Sequence, residues 1–172
     1  ITGATTICSG DNKTLTYGSG SVGTIQWQYS MTSSTDGFSD IEGENNMTYT
    51  AIDLQESTWF RVVNTSEICS PAYSEAVQVV VNAPVVTGYI EDIDIHVCKN
   101  SNSTAINLNF YEGEIQWQQA SSLEGVFTDI VSANTATYTA LNLEETSYYR
   151  AKVSSGVCSS QVTDPVAIIV DE

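Results

Sequence analysis

Positive charge is nearly missing from this chain. Five Lys and Arg residues stand against 21 Asp and Glu, a formal net charge of −16, which repels phosphate backbones and argues against nucleic acid as a partner. No apolar run reaches membrane-spanning length, so insertion into a bilayer as a helix is not expected. A single histidine, His96, and no Gly-x-Ser-x-Gly setting for a nucleophile leave catalysis without a starting point. Nothing marks one pair among the many carboxylates for glycoside hydrolysis. The expectation is a protein that is not an enzyme. Helix formers are sparse while Thr, Ser, Asn, Val and Tyr dominate, a composition of strands and turns. An initiator Met and a signal peptide are missing too, so the chain is expected to be a processed product or fragment of an exported protein.

What is present comes twice. Ile25-Gln26-Trp27-Gln28 returns as Ile115-Gln116-Trp117-Gln118, Thr48-Tyr49-Thr50-Ala51 as Thr137-Tyr138-Thr139-Ala140, and Thr58-Trp59-Phe60-Arg61 as Ser147-Tyr148-Tyr149-Arg150, each roughly 90 residues on. Units of that size close a core of their own, unlike solenoid repeats of about 20 to 50 residues. Asn82-Ala83-Pro84 is the natural boundary, giving domains over residues 1–82 and 83–172. A linker this short predicts a fairly fixed end-to-end arrangement.

Short runs of alternating polarity, such as Thr24 to Tyr29 (strand C) and Ser57 to Val63 (strand F) in the first repeat and Glu114 to Gln119 (strand C) and Ser147 to Val153 (strand F) in the second, are separated by turn clusters and not by helical patterns. The expected fold is all-β, two tandem immunoglobulin-like or fibronectin-like antiparallel sandwiches. Strand parity puts Trp27 and Trp117 inward. Leu15 and Tyr17, or Ile106 and Leu108, fill the preceding strand. Val62 and Ala151 occupy the strand-F position that holds a cysteine in antibody domains.

The four cysteines repeat as well, with Cys8 and Cys69 answered by Cys98 and Cys158. Their separations are too long for a zinc pattern, and they read as disulfides in an oxidising compartment. Three pairings are possible. Repeat symmetry selects Cys8 with Cys69 and Cys98 with Cys158, one staple at an end of each sandwich.

Together, Ile-Cys-Ser-Gly-Asp, Ile-Gln-Trp-Gln, Asp-Gly-Phe-Ser-Asp-Ile, Thr-Tyr-Thr-Ala, the Phe/Tyr-Arg strand and a late Cys-Ser resemble the immunoglobulin-like repeats of large surface adhesins from Bacteroidota. The resemblance covers essentially the whole chain. It implies export through the type IX system and display in series as stalks or gliding adhesins. The second repeat departs in Cys98-Lys99-Asn100 and in Val126 before Phe127.

Candidate binding residues lie on the outer face of strands C and F: Gln26, Gln28, Trp59 and Arg61 in the first repeat, and Gln116, Gln118, Tyr148 and Arg150 in the second. An aromatic beside amide and guanidinium donors suits a sugar ring and its hydroxyls, and it equally suits cross-strand packing under an Arg stem. Leu143 before Tyr149 resembles the turn into strand F of fibronectin-type sandwiches, with a Tyr hydroxyl bonded to upstream backbone. Asp92, Asp94 and His96 alternate onto one face, a weak pointer to calcium, and no other cofactor is indicated. Asn12, Asn46, Asn64 and Asn102 stand in Asn-x-Ser/Thr sequons. The short lead-in Ile1 to Ile7 predicts an open sheet edge that a neighbouring subunit could complete. The function expected is a structural or adhesive segment at the cell surface, partnered by neighbouring domains or subunits of the same protein. A filament subunit or a glycan-binding module is the alternative.

Overall fold

In the computed structural model, residues 1–18, 23–91, 95–100 and 102–171 are described, and all of their regular structure is strand. Two compact units result. Unit 1 holds Ile1–Ala83 together with Gly156–Cys158, and unit 2 holds Pro84–Ser155 and Ser159–Glu172.

In unit 1 the strands are β1 (Thr6–Cys8), β2 (Lys13–Thr16), β3 (Thr24–Ser30), β4 (Ser39–Asp40), β5 (Thr48–Ala51), β6 (Thr58–Thr65), β7 (Ala72–Tyr73) and β8 (Val77–Asn82). One sheet runs β1-β8-β6-β3-β4 with β7 also on β6, and β2 pairs β5 in the other. Unit 2 repeats the plan with β9 (Tyr89–Ile90), β10 (Ile95–Cys98), β11 (Ser103–Asn109), β12 (Glu114–Ala120), β13 (Thr128–Asp129), β14 (Thr137–Leu141), β15 (Ser147–Ser155), β16 (Cys158–Val162, whose first residue falls in unit 1) and β17 (Val166–Asp171). Its sheets run β10-β17-β15-β12-β13, with β16 on β15, and β14-β11-β9.

Alternation builds both cores. Along β3, Ile25 and Trp27 are buried between exposed or half-exposed neighbours, and along β6 Thr58, Phe60 and Val62 are buried in turn. Trp27 is opposite Val62 and Trp117 opposite Ala151, all four with no measurable exposure. Each indole donates to a carbonyl of the loop before β5 or β14, Trp27 Nε1 to Asn46 and Trp117 Nε1 to Thr135, both at 2.8 Å. A chain of rings crosses each core: Trp27, Tyr49 and Phe60 in the first, Trp117, Tyr138 and Tyr149 in the second. Gly23 and Gly113, both at positive φ, let strand C start against the carbonyls of Thr65 and Ser154, where a Cβ would collide.

Burial raises three of these phenols above their ordinary value of 10.0. Tyr49 is shifted by burial and then by the Glu44 carboxylate, and Tyr138 by burial alone. Tyr149 is shifted by burial and by Tyr138, against a smaller opposing bond with Ser147. Because the folded values lie above the unfolded one, the stability tied to the neutral phenols is complete below pH 10.0 and is lost as pH climbs through the folded values. Denaturant midpoints should therefore fall above about pH 10, with late-titrating phenols in the ultraviolet spectrum of the folded protein. A midpoint that is flat through that range would contradict this.

The first strand differs from expectation. Thr6–Cys8 already covers the sheet edge, pairing in parallel with β8 from Thr6↔Val80 to Cys8↔Asn82, while Thr2 bridges Thr16 of the opposite sheet. The short lead-in is thus spent within its own sandwich, with β1 as the edge strand beside β8 and a single bridge from Thr2 on the β2 side.

Candidate functional site

The outer face of β3 and β6 brings together most of the residues singled out from sequence, and it ties them to one another. Arg61 Nε donates to Gln28 Oε1 at 2.7 Å, and Gln28 Nε2 donates to Asp40 Oδ1 at 2.7 Å. The Arg61 guanidinium lies 3.9 Å from the centre of the Phe38 ring and 4.4 Å from that of Tyr73. The second unit repeats the relay: Arg150 Nε to Gln118 Oε1, then Gln118 Nε2 to Asp129 Oδ1, both at 2.7 Å, with the guanidinium 4.2 Å over Phe127. Each arginine is held between a charge-assisted amide relay and an aromatic face.

Gln26 and Gln116 have a different task. Gln26 Nε2 donates to Ile41 O at 2.6 Å and also reaches Trp27 O and Glu44 O. Gln116 Nε2 donates to Ile130 O at 2.7 Å and also to Trp117 O. These amides fasten the loop after β4 or β13 to strand C. Trp59 and Tyr148 sit half-buried in the sheet, Trp59 between Ser30 and Gln78 and Tyr148 between Ala120 and Ala167. The rings under the arginines are Phe38, Tyr73 and Phe127, which sequence reading passed over. Phe38 and Phe127 stand in the repeated Phe-Ser-Asp-Ile and Phe-Thr-Asp-Ile, which carry the ring and the relay carboxylate two residues apart, whereas Tyr73 has no such motif.

A second feature of unit 1 is an apolar recess of about 380 Å³ lined by Tyr29, Met31, Ile41, Tyr49, Leu54 and Phe60, with Asp53 and Glu56 among its other walls. In the second repeat Gln119 stands where Tyr29 does, opposite Tyr149 as Tyr29 is opposite Phe60.

The disulfide assignment requires correction. Cys8 is bonded to Cys158, 150 residues away, while Cys69 and Cys98 are free and exposed. Strand direction explains why Cys8 does not meet Cys69. Cys8 ends β1 beside Asn82, at the end of β8 that flanks the start of β6, where the Ser57 hydroxyl accepts from Val81 N. Cys69 lies beyond the far end of β6, whose eight residues span about 25 Å; a disulfide needs Cα atoms within about 7 Å. Cys98 and Cys158 are separated in the same way by the nine residues of β15.

His96 Nδ1 lies 2.9 Å from Asp171 Oδ2, pairing β10 with β17. Asp92 and Asp94, the acids expected beside it, lie outside the described residues. Among the described residues no group of three or more His, Cys, Asp and Glu could hold a metal ion. Asn102 is buried, donating to Cys98 O and Leu143 O and accepting from Leu143 N, so its sequon amide is committed to the strand-F turn.

Solved structures share the architecture at low identity. The chain is similar to an amphioxus IgVJ-C2 molecule (TM-score 0.53, 11% identity, 96% of this chain and 99% of that one). It is also similar to a marsupial T cell receptor (0.59, 10%, 98% and 71%) and to domains A168-A170 from titin (0.58, 13%, 98% and 62%). At such identities the likeness establishes the immunoglobulin-like fold alone. No curated protein matches the sequence. Residues 1–83 and 86–172 each match one family, described as "Domain of unknown function (DUF8696)", and the chain belongs to that family as two of its domains in series.

Proposed function

We propose that this chain is a non-enzymatic structural and adhesive segment of an exported bacterial cell-surface protein, built from immunoglobulin-like modules in series. The observation that carries the reading is the use made of the repeated outer face. Gln28, Arg61 and Asp40, like Gln118, Arg150 and Asp129, satisfy one another across strands, so the chemistry shared by the two copies goes into holding the strands of one sheet together in each sandwich. That favours a load-carrying module over a sugar-binding one.

A disulfide supports an oxidising compartment outside the cytoplasm. The charge of −16 suits a surface that stays soluble at high local density. The resemblance to Bacteroidota adhesin repeats supplies the cellular setting, with neighbouring domains of the same protein as the first partners.

Antibodies raised against residues 1–172 should label intact, unpermeabilised cells of the encoding organism, and in-frame removal of the segment should reduce surface attachment. Labelling that requires permeabilisation would overturn the exported reading.

A further inference from the structure

The bonded and free cysteines occupy matching places in the two repeats. Cys8 ends β1 in register with Asn82, and Cys98 ends β10 in register with Asp171. Cys158 follows β15 at a hairpin tip, and Cys69 follows β6 at the corresponding point. The partner of Cys8 comes from the second repeat, in the tip Gly156–Cys158 that belongs to unit 1. Within one repeat the two cysteines stand at opposite ends of the sandwich, so each module offers one half-bridge at each end.

We propose that Cys98 and Cys69 are the unfilled halves of further bridges of this same kind, made to other copies of the module. Cys98 takes the hairpin-tip cysteine of a following copy, and Cys69 takes the β1-end cysteine of a preceding one. The Cys8–Cys158 bond is then one member of a covalent series. A contact that joins unlike ends and does not close on itself propagates as an open chain. The inference does not depend on what the chain adheres to.

The surroundings of the formed bridge show what a partner must bring. Val157 N donates to Asn82 Oδ1 at 3.2 Å, and Gly156, at positive φ, packs so closely on Asn82 that a Cβ would collide with it. Beside Cys98 the acceptor at this register is Asp171, so a tip amide finds an oxygen there too. Beside Cys69 the residue matching Gly156 is Glu67, which adds a side chain and an acid facing Asp171 when one copy of this chain meets another. Each bond forms from two thiols. Two protons leave, and two electrons pass to a disulfide oxidant, here oxidised glutathione, which departs as two glutathione thiols.

The test uses the full chain in a glutathione redox buffer, at high ionic strength to screen its charge. Unmodified protein should give a ladder on non-reducing gels that reducing agent collapses to monomer. Cys69→Ser and Cys98→Ser should each remain monomeric alone, and an equal mixture should give a dimer and nothing longer, with Cys98 joined to Cys69 by peptide mapping. Glu67→Gly in the Cys98→Ser partner should raise the dimer fraction several-fold. Dimers of either single variant alone, linked Cys98 to Cys98 or Cys69 to Cys69, would reduce the pair to ordinary surface thiols. A mixture that stays monomeric even with Glu67→Gly would overturn the proposal as well.

Discussion

Trp27→Ala should strongly destabilise the first sandwich while leaving the melting of the second near that of the parent. Trp27 has no measurable exposure and is the largest side chain of its core, set against Val62 and in ring contact with Tyr49. Truncation of a buried Trp costs about 3–5 kcal/mol, against a total of about 5–15 kcal/mol for a domain. Losing the indole N–H also leaves the Asn46 carbonyl without its donor. For a domain of this size the loss corresponds to a fall of about 12–40 °C in its thermal midpoint. Trp59→Ala is the control: it removes a half-buried ring from the outer side of the same strand pair and should cost far less. Equal effects at the two positions, or a Trp27→Ala midpoint within a few degrees of the parent, would contradict the assignment of the core.

The second large effect is expected at the disulfide. Non-reducing peptide maps should recover Cys8 joined to Cys158, with Cys69 and Cys98 open to alkylation. Cys8→Ser or Cys158→Ser should destabilise unit 1 by about 2–4 kcal/mol, the usual range for a native crosslink. Cys69→Ser and Cys98→Ser should leave the monomer's melting unchanged. A map that joins Cys8 to Cys69 would place both residues at one end of the sandwich and contradict the parallel pairing of β1 with β8.

The expected strands were legible because they depend on neighbours a few residues apart. Burial along β3 and β6 follows the alternation of Ile25, Trp27, Phe60 and Val62, and the second copy gave each assignment an independent repetition. The outer face was legible only in part. Parity put Gln28 and Arg61 on one side of the sheet, and the structure joins them. It could not say that Gln26 would turn to Ile41 O, since that loop carbonyl arrives by the course of the chain after β4. The rings under the arginines were missed for the same reason, because Phe38 and Tyr73 reach Arg61 from other strands and loops.

The sequence by itself determined that there are two modules, that both are all-β, and that Trp27 and Trp117 centre their cores, because local alternation and internal repetition carry that information. Only the tertiary structure decided the cysteine pairing and the place of the first strand. Both turn on the direction in which a three-residue strand lies beside β8. Thr6–Cys8 reads the same parallel or antiparallel, yet the parallel choice carries Cys8 to the end of the sandwich remote from Cys69. Repeat symmetry correctly matched the positions of the cysteines, but bonding follows distance in space, and the nearest thiol belongs to the other repeat.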